Sequence, residues 1–113
     1  MPEETFYIKQ NDTASFLTRD LKDAFGAPVN VTGAAVVFSM RVKPAGSMKI
    51  TRETAVIVTA GTGRVRYEWN SSDGDTNTAD EYEGEFQVTY AYGKIQTFPN
   101  DGHIPIVVTD DIG

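Results

Sequence analysis

Alternation of apolar and polar side chains dominates this sequence, and it is clearest over residues 82–90. One set of alternate positions is apolar or small, and it consists of Tyr82, Gly84, Phe86, Val88 and Tyr90. The intervening set is polar and consists of Glu83, Glu85, Gln87 and Thr89. Because successive side chains of a strand point to opposite faces, the pattern predicts a half-buried β-strand. Gly93 then predicts a tight turn over residues 91–94, and residues 95–98 are predicted to return as the second strand of a hairpin.

The same alternation, broken by turn residues, predicts the other strands of the chain. They are expected at residues 5–10, 16–21, 34–42, 54–59, 64–69 and 104–108. Residues 48–50 are either a short strand or the entry to 54–59. Charged side chains in 16–21 favour an edge strand. Residues 104–108 are either a separate strand or a bent continuation of 95–98 across a bulge.

The connections are predicted from their turn residues. Gly26 and Pro28 indicate a turn-rich connection over residues 22–31, and residues 70–80 contain no large apolar side chain and are predicted as a polar loop. Seven or eight strands without an amphipathic helix predict an all-β fold, an antiparallel immunoglobulin-like β-sandwich forming a single domain over residues 1–113. Tyr82 stands where tyrosine corners occur in such folds.

Composition narrows the function. The 113 residues include ten basic and sixteen acidic side chains, a net charge of −6, and no cysteine. Disulfides and thiolate metal sites are therefore excluded, and the acidic balance argues against binding to nucleic acid. No apolar run approaches the ~20 residues of a membrane span, and the acidic first residues predict no signal peptide. We expect a soluble protein that is either cytosolic or assembled from a cytosolic pool.

Candidate catalytic groups are few. His103 is the sole histidine and stands beside a glycine turn, which favours a surface or strand-edge position. Glu81, Glu83 and Glu85 could form an acidic row, but such repetition is typical of the solvated face of a strand. Like charges directly opposed would destabilise a sheet, so basic or polar residues, or a partner protein, are expected across from them. No catalytic residue and no enzyme activity are predicted.

Two further motifs indicate no cofactor. Residues 70–77 are oxygen-rich around Gly74, but their spacing does not match the twelve-residue calcium loop, and a solvated turn is expected. Residues 61–63 lack the downstream glycine and lysine of a phosphate-binding loop. No cofactor-binding or metal-binding residue is predicted.

The three tyrosines near the hairpin separate into two groups. Tyr82 and Tyr90 take inward positions and are predicted to lie in the core, as is Trp69, the only tryptophan. Tyr92 lies in the turn itself, where exposed aromatic residues often contact sugars or protein partners. The candidate interaction residues are therefore Tyr92 and Lys94 of the turn, together with His103.

Two long segments resemble a known family. Residues 21–34, Leu-Lys-Asp-Ala-Phe-Gly-Ala-Pro-Val-Asn-Val-Thr-Gly-Ala, lead into a strand ending Phe-Ser-Met-Arg. This pattern is similar to the opening of phage baseplate upper protein amino-terminal domains and related small phage virion proteins. Residues 84–94 and 97–104 resemble the closing hairpin of that family, and the resemblance covers most of the chain, roughly residues 14–109.

The resemblance implies a non-catalytic bacteriophage virion structural protein, assembled in the host cytoplasm. Its expected partners are other phage structural proteins, bound in multiple symmetric copies, with no nucleic acid and no membrane. A place in the tail, baseplate or neck is expected, with capsid decoration as an alternative. A carbohydrate-binding module using Tyr92, His103 and exposed acids is a second alternative, and an enzyme using Glu83 and His103 is the weakest.

Overall fold

The computed structural model describes residues 4–110 and 112, and over these residues the chain forms nine β-strands. They are β1 (Phe6–Lys9), β2 (Leu17–Asp20), β3 (Ala35–Val42), β4 (Met48–Thr54), β5 (Val56–Thr59), β6 (Arg64–Tyr67), β7 (Asp80–Thr89), β8 (Ile95–Phe98) and β9 (Ile104–Thr109). A single 3₁₀ turn, Ala60–Thr62, joins β5 to β6. None of the helical structure in this part of the chain is long and apolar enough to cross a membrane.

The strands form two packed sheets, which confirms the predicted all-β sandwich. The larger sheet has the order β1-β9-β7-β3-β4, with β8 also paired to β7, and the smaller has the order β2-β6-β5. In immunoglobulin-like sandwiches, strands B, E and D share one sheet and strands C, F and G share the other. The smaller sheet here matches the first group, with β2, β6 and β5 in the positions of strands B, E and D. The larger sheet contains the second group, with β3, β7 and β9 in the positions of strands C, F and G. β2 is an edge strand, as its charges predict.

Three details of the predicted sandwich are wrong. The sandwich has nine described strands instead of seven or eight, and it is mixed, because β1 runs parallel to β9. The predicted strand over residues 54–59 is divided: Thr54 ends β4, and the chain crosses to the other sheet at the buried Ala55, whose N–H donates to the Val36 carbonyl at 2.9 Å. Met48 therefore begins a strand of seven residues.

β8 and β9 pair with the same edge of β7, one after the other along its length. β8 pairs with residues 86–89 of β7 and β9 with residues 80–84, while β3 pairs along the opposite edge. The two alternatives for residues 104–108 are thus both partly right. β9 continues the line of β8, but five residues, 99–103, loop out between them where a bulge would insert a single residue.

The core lies between the sheets and centres on Phe38. Its ring packs on three other aromatic rings, with centroid distances of 4.7 Å to Tyr67, 5.1 Å to Phe86 and 6.0 Å to Trp69. The indole Nε1 of Trp69 donates to the carbonyl of Ser15 at 2.9 Å, so its one polar atom is satisfied. Trp69 is a core anchor, as predicted.

Tyr82 forms the predicted tyrosine corner. Its ring is buried in the core, and its hydroxyl donates to the carbonyl of Thr78, four residues upstream, at 2.7 Å. Burial raises the pKa of the Tyr82 hydroxyl above its ordinary value. The hydrogen bond thus ties the end of the polar loop to the first buried position of β7.

Tyr82→Phe is expected to lower the free energy of unfolding by about 1 kcal/mol, because it removes this hydrogen bond and leaves the Thr78 carbonyl without its partner. Urea denaturation measures the loss. Tyr7→Phe removes a hydroxyl from a side chain that is 68% exposed and should change stability by less than about 0.5 kcal/mol. Equal losses in the two variants would contradict a structural role for the corner.

Candidate functional site

Three connections meet at one end of the sandwich, which we call the loop end. They are the β2–β3 connection (residues 21–34), the β5–β6 turn (60–63) and the tip of the β7–β8 hairpin (90–94). Strand register places them together, because Ala35 at the start of β3 pairs with Thr89 at the end of β7. Hydrogen bonds join the first two connections: Val31 N–H donates to the Ala60 carbonyl at 2.9 Å.

The hairpin tip is closed by its own backbone. Tyr90 N–H donates to the Lys94 carbonyl and Gly93 N–H donates to the Tyr90 carbonyl, both at 2.8 Å. Gly93 has a φ of +90°, a conformation that residues with a Cβ rarely adopt. The sequence correctly predicts both the turn and the reason for its glycine.

Tyr92 projects from this tip and is 74% exposed. Its ring lies parallel to that of Tyr90, with centroids 5.3 Å apart and planes 6° apart. The prediction that Tyr90 belongs to the core is only partly right: it is half-buried, it packs against the core, and its hydroxyl donates to Gln96 Oε1 at 2.8 Å. Tyr90 therefore supports Tyr92 from below.

The rest of the tip is aliphatic and weakly charged. Ile95, next to the turn, is 62% exposed. Lys94 is also exposed, and it is the only charged residue in the stretch from 86 to 100 of a chain whose net charge is −6. The tip thus presents an aromatic ring, an aliphatic side chain and one cation.

His103 lies elsewhere, in a cluster on the outer face of the larger sheet. Arg41 and Glu83 are directly paired in register, and Arg41 Nε donates to Glu83 Oε1 at 2.9 Å. The Ala45 N–H donates to the same oxygen at 3.0 Å, and His103 Nδ1 lies 3.4 Å from Glu83 Oε2. The expectation of a basic residue across from the glutamate row is confirmed at Glu83.

The contacts of Glu83 hold the pKa of its carboxyl below its usual value. The Ala45 N–H is the largest cause, followed by the hydrogen bond from Arg41, with a smaller contribution from His103. A carboxylate with a lowered pKa and two donors on one oxygen is a weak proton acceptor at neutral pH. The geometry favours a structural role for Glu83, which ties the β3–β4 turn to the sheet.

Glu83→Gln is expected to make the free energy of unfolding less dependent on pH in the acid range. The lowered pKa means that the charged form stabilises the fold above pH 4.5, the ordinary value for glutamate, and that this stabilisation is lost as pH falls through the folded-state pKa. The free energy of unfolding, measured by urea titration at a series of pH values, should therefore fall less steeply in the variant. Glu85→Gln, on the same face but paired in register with Ser39, is the control, and an identical change in both would contradict the assignment.

The structure does not bring the predicted interaction residues into one site. Ile104, next to His103, pairs with Gly84, whereas the tip carrying Tyr92 and Lys94 begins beyond Thr89. Five residues of strand separate these points, about 17 Å at ~3.4 Å per residue. A sugar site that combines Tyr92 with His103 is therefore not assembled.

The polar loop over residues 70–77 uses its oxygens internally. Asp75 is only 3% exposed, and its Oδ2 accepts hydrogen bonds from the Tyr67 hydroxyl at 2.6 Å and the Asn70 N–H at 2.8 Å. Asn77 Oδ1 accepts hydrogen bonds from Lys49 Nζ and from the Thr78 hydroxyl. Among the described residues there is no group of three or more histidine, aspartate or glutamate side chains that could hold a metal ion.

One exposed aromatic residue was missed by the sequence reasoning. Phe25, at the tip of residues 22–28, is 96% exposed. Its neighbours Ala24 and Gly26 line an open cleft of about 1110 Å³ between this segment and residues 98–105, which comprise the end of β8, the loop after it and the start of β9. The available signal was Asp23 two residues before Phe25 and Gly26 after it, a combination that marks a tight turn and hence a side chain without a core position.

Comparison with known proteins defines the fold. No family model matches the sequence, and no curated protein matches it. Among solved structures, the chain is similar to CopC from Methylosinus trichosporium OB3b, with a TM-score of 0.53 and 11% sequence identity, over 96% of this chain and 87% of that one. At this identity the similarity shows the fold alone, a two-sheet β-sandwich.

The predicted function, a phage virion structural protein of the tail, baseplate, neck or capsid surface, is wrong. The chain is similar in structure to CopC, and none of the comparisons links it to a phage particle. The residues behind the resemblance explain the error. Phe38 and Met40 are core positions of β3, and Gly33 and Gly93 are turn positions with positive φ. Packing and turn geometry impose such residues on many sandwiches, so they report the fold and not the role.

Proposed function

We propose that the chain is a non-catalytic protein-recognition domain that docks a partner protein through the tip of the β7–β8 hairpin. The observation that carries the proposal is Tyr92, a largely exposed tyrosine stacked on Tyr90 at the end of a closed hairpin. Tyrosine is enriched among the residues that dominate binding energy at protein interfaces.

Stacking on Tyr90 pre-organises the Tyr92 side chain for binding. An aromatic side chain buries about 150–250 Å², and at ~25 cal/mol per Å² the exposed part of such a ring contributes about 3–5 kcal/mol before the costs of association. Immobilising a free side chain normally offsets part of that gain. Contact with Tyr90 and the hydrogen-bonded turn already restrict the ring of Tyr92, so less entropy is lost on binding.

The chemistry of the tip indicates what the partner offers. Tyr92 and Ile95 supply apolar surface, and Lys94 supplies the only charge within residues 86–100. A depression lined by apolar side chains with a carboxylate at its rim would match all three. A buried aromatic anchor surrounded by a polar rim is the usual anatomy of such an interface.

Site-specific photo-crosslinking tests the proposal in the cells that make the protein. A benzophenone amino acid is placed at Tyr92 or, as a matched control, at Tyr7, another exposed tyrosine, located on β1. We expect one discrete protein adduct from position 92 and none of the same mass from position 7. With the captured protein purified, Tyr92→Ser should weaken binding at least tenfold, about 1.4 kcal/mol, and Tyr7→Ser should leave it unchanged.

The same adduct from both positions, or an affinity that Tyr92→Ser leaves unchanged, would refute the hairpin tip as the binding element. A glycan array provides the competing outcome. Glycan binding by the whole chain that Tyr92→Ser abolishes, without a protein adduct at position 92, would replace the protein partner with a carbohydrate.

A further inference from the structure

Phe25 is exposed without being loosely held. Asp23 Oδ1 accepts the N–H groups of Phe25 at 2.8 Å and of Ala27 at 3.0 Å, and the Gly26 N–H donates to the Asp23 carbonyl at 3.0 Å. Lys22 and Pro28 form a bridge below this turn. The segment is a closed hairpin that holds a phenylalanine in solvent.

Phe25 differs in this respect from the five other phenylalanines. Phe38, Phe86 and Phe98 are buried, and Phe6 packs against the core. Phe16 lies under the guanidinium of Arg66, whose Cζ is 4.8 Å from the ring centroid. Large apolar side chains are usually buried, so one that is wholly exposed on an ordered turn marks a contact surface.

The cleft beside Phe25 is suited to receive an apolar side chain. Asn100 ties its two walls together, because the Asn100 side-chain amide donates to the Lys22 carbonyl at 2.8 Å. Apolar residues form part of its lining, and they are Leu21, Phe86, Phe98, Pro99, Ile104 and Pro105. Its volume of about 1110 Å³ lies slightly above the usual range for ligand pockets and is ample for one phenyl ring.

We propose that a second copy of this chain covers this surface, with each Phe25 inserted into the cleft of the other copy. A projecting ring and a cleft lie side by side on one surface, since Ala24 and Gly26 line the cleft on either side of Phe25 in the sequence. A two-fold axis through that surface brings both rings to both clefts at once, which is the self-complementary geometry of an isologous dimer.

Charges around the cleft support a copy of the same chain as the occupant. Charged residues of both signs line the cleft, and they are Arg19, Lys22, Asp20, Asp23 and Asp101. When such a surface faces itself across a two-fold axis, cations and carboxylates can pair between copies, whereas a rim of one sign would repel. The interface is separate from the hairpin tip, because Tyr92 does not line the cleft.

Sedimentation equilibrium of the full chain over a range of concentrations tests the proposal. We expect a monomer–dimer equilibrium whose Kd rises at least tenfold in Phe25→Ser. Tyr7→Ser removes a comparable exposed aromatic ring outside the cleft and should leave the Kd unchanged. Ala24→Arg, at an exposed position lining the cleft, should block the cleft of its own copy and also raise the Kd.

Mixing Phe25→Ser with Ala24→Arg tests the reciprocal insertion more directly than either variant alone. The Phe25→Ser copy keeps an open cleft and the Ala24→Arg copy keeps its phenylalanine, so the mixture can form one of the two insertions. The heterodimer should therefore be tighter than either homodimer, as measured by energy transfer between labelled copies. Unchanged melting temperatures would show that both variants are folded.

Four results would overturn the proposal. The first three are a chain that remains monomeric at ~1 mM, where even a millimolar Kd would be visible, a dimer that Phe25→Ser does not weaken, and a dimer that Tyr7→Ser weakens equally. A benzophenone at position 25 that captures only a different protein would also overturn it. None of these results depends on the hairpin tip, so the two proposals fail independently.

Discussion

Phe38→Ala is expected to lower the free energy of unfolding by about 3–5 kcal/mol, the usual cost of removing a buried phenyl ring. Phe38 has no exposed surface, and it packs on Tyr67, Trp69 and Phe86. Rigid rings around the vacated space cannot collapse into it easily, which places the loss toward the upper end. Since the free energy of unfolding of small domains is only about 5–15 kcal/mol, this change removes a large part of the total stability.

Urea denaturation followed by tryptophan fluorescence measures this loss, because Trp69 lies against Phe38. Phe25→Ala is the matched control. It makes the same chemical change at a side chain that is 96% exposed and should alter stability by less than about 0.5 kcal/mol when the chain is dilute. A loss below about 2 kcal/mol for Phe38→Ala would show that the core is not centred on this ring.

Strands with one buried face were the part of the fold that could be predicted from the sequence. In β3 and β7 the core side is lined by side chains such as Phe38 and Phe86, while the other side faces solvent, so burial imposes the alternation directly. The predicted strand over residues 54–59 failed for the opposite reason. Residues 56–58 read as one β-branched run, and nothing in their alternation marks the passage at Ala55 from one sheet to the other.

Strand partners are not visible in the alternation at all. The pattern of β1 is the same whether the strand pairs with β9 in parallel or lies in an antiparallel hairpin, because it records which face is buried and not the direction of the neighbour. Pairing of β1 with β9 depends on contacts between opposite ends of the chain, as Phe6 pairs with Ile106. No local signal carries such information.

For the candidate site, turn chemistry was informative where it was applied. Gly93 identified a hairpin turn, and a turn position left Tyr92 without a core to pack on, which the structure bears out with its exposure. Phe25 was overlooked because residues 22–31 have no periodicity from which to assign a face. The cleft could not be predicted, since it arises where residues 22–26 meet the loop between β8 and β9.

Gly84→Ala is expected to destabilise the protein by about 1–3 kcal/mol, although alanine suits a strand better than glycine. Gly84 lies on the inward face of β7, opposite Met40 of β3. A Cβ built there would lie 2.7 Å from Ile106 Cδ1 and 2.9 Å from Phe38 Cζ, closer than carbon atoms approach. Gly84 does not have a positive φ, so the cost arises from packing and not from backbone strain.

A second change at Phe38 separates overpacking from other causes of the loss. Phe38→Leu alone should cost about 1 kcal/mol or more, since it leaves space where the ring edge lay. The methyl group that Gly84→Ala adds would occupy part of that space, so the double variant should lose less stability than the sum of the two single losses, with a coupling of about 0.5–2 kcal/mol.

Additive losses in urea denaturation would mean that Ile106, and not the Phe38 ring, is the contact that excludes a side chain at position 84. In that case Gly84→Ala should be relieved by Ile106→Val, which removes the atom at 2.7 Å.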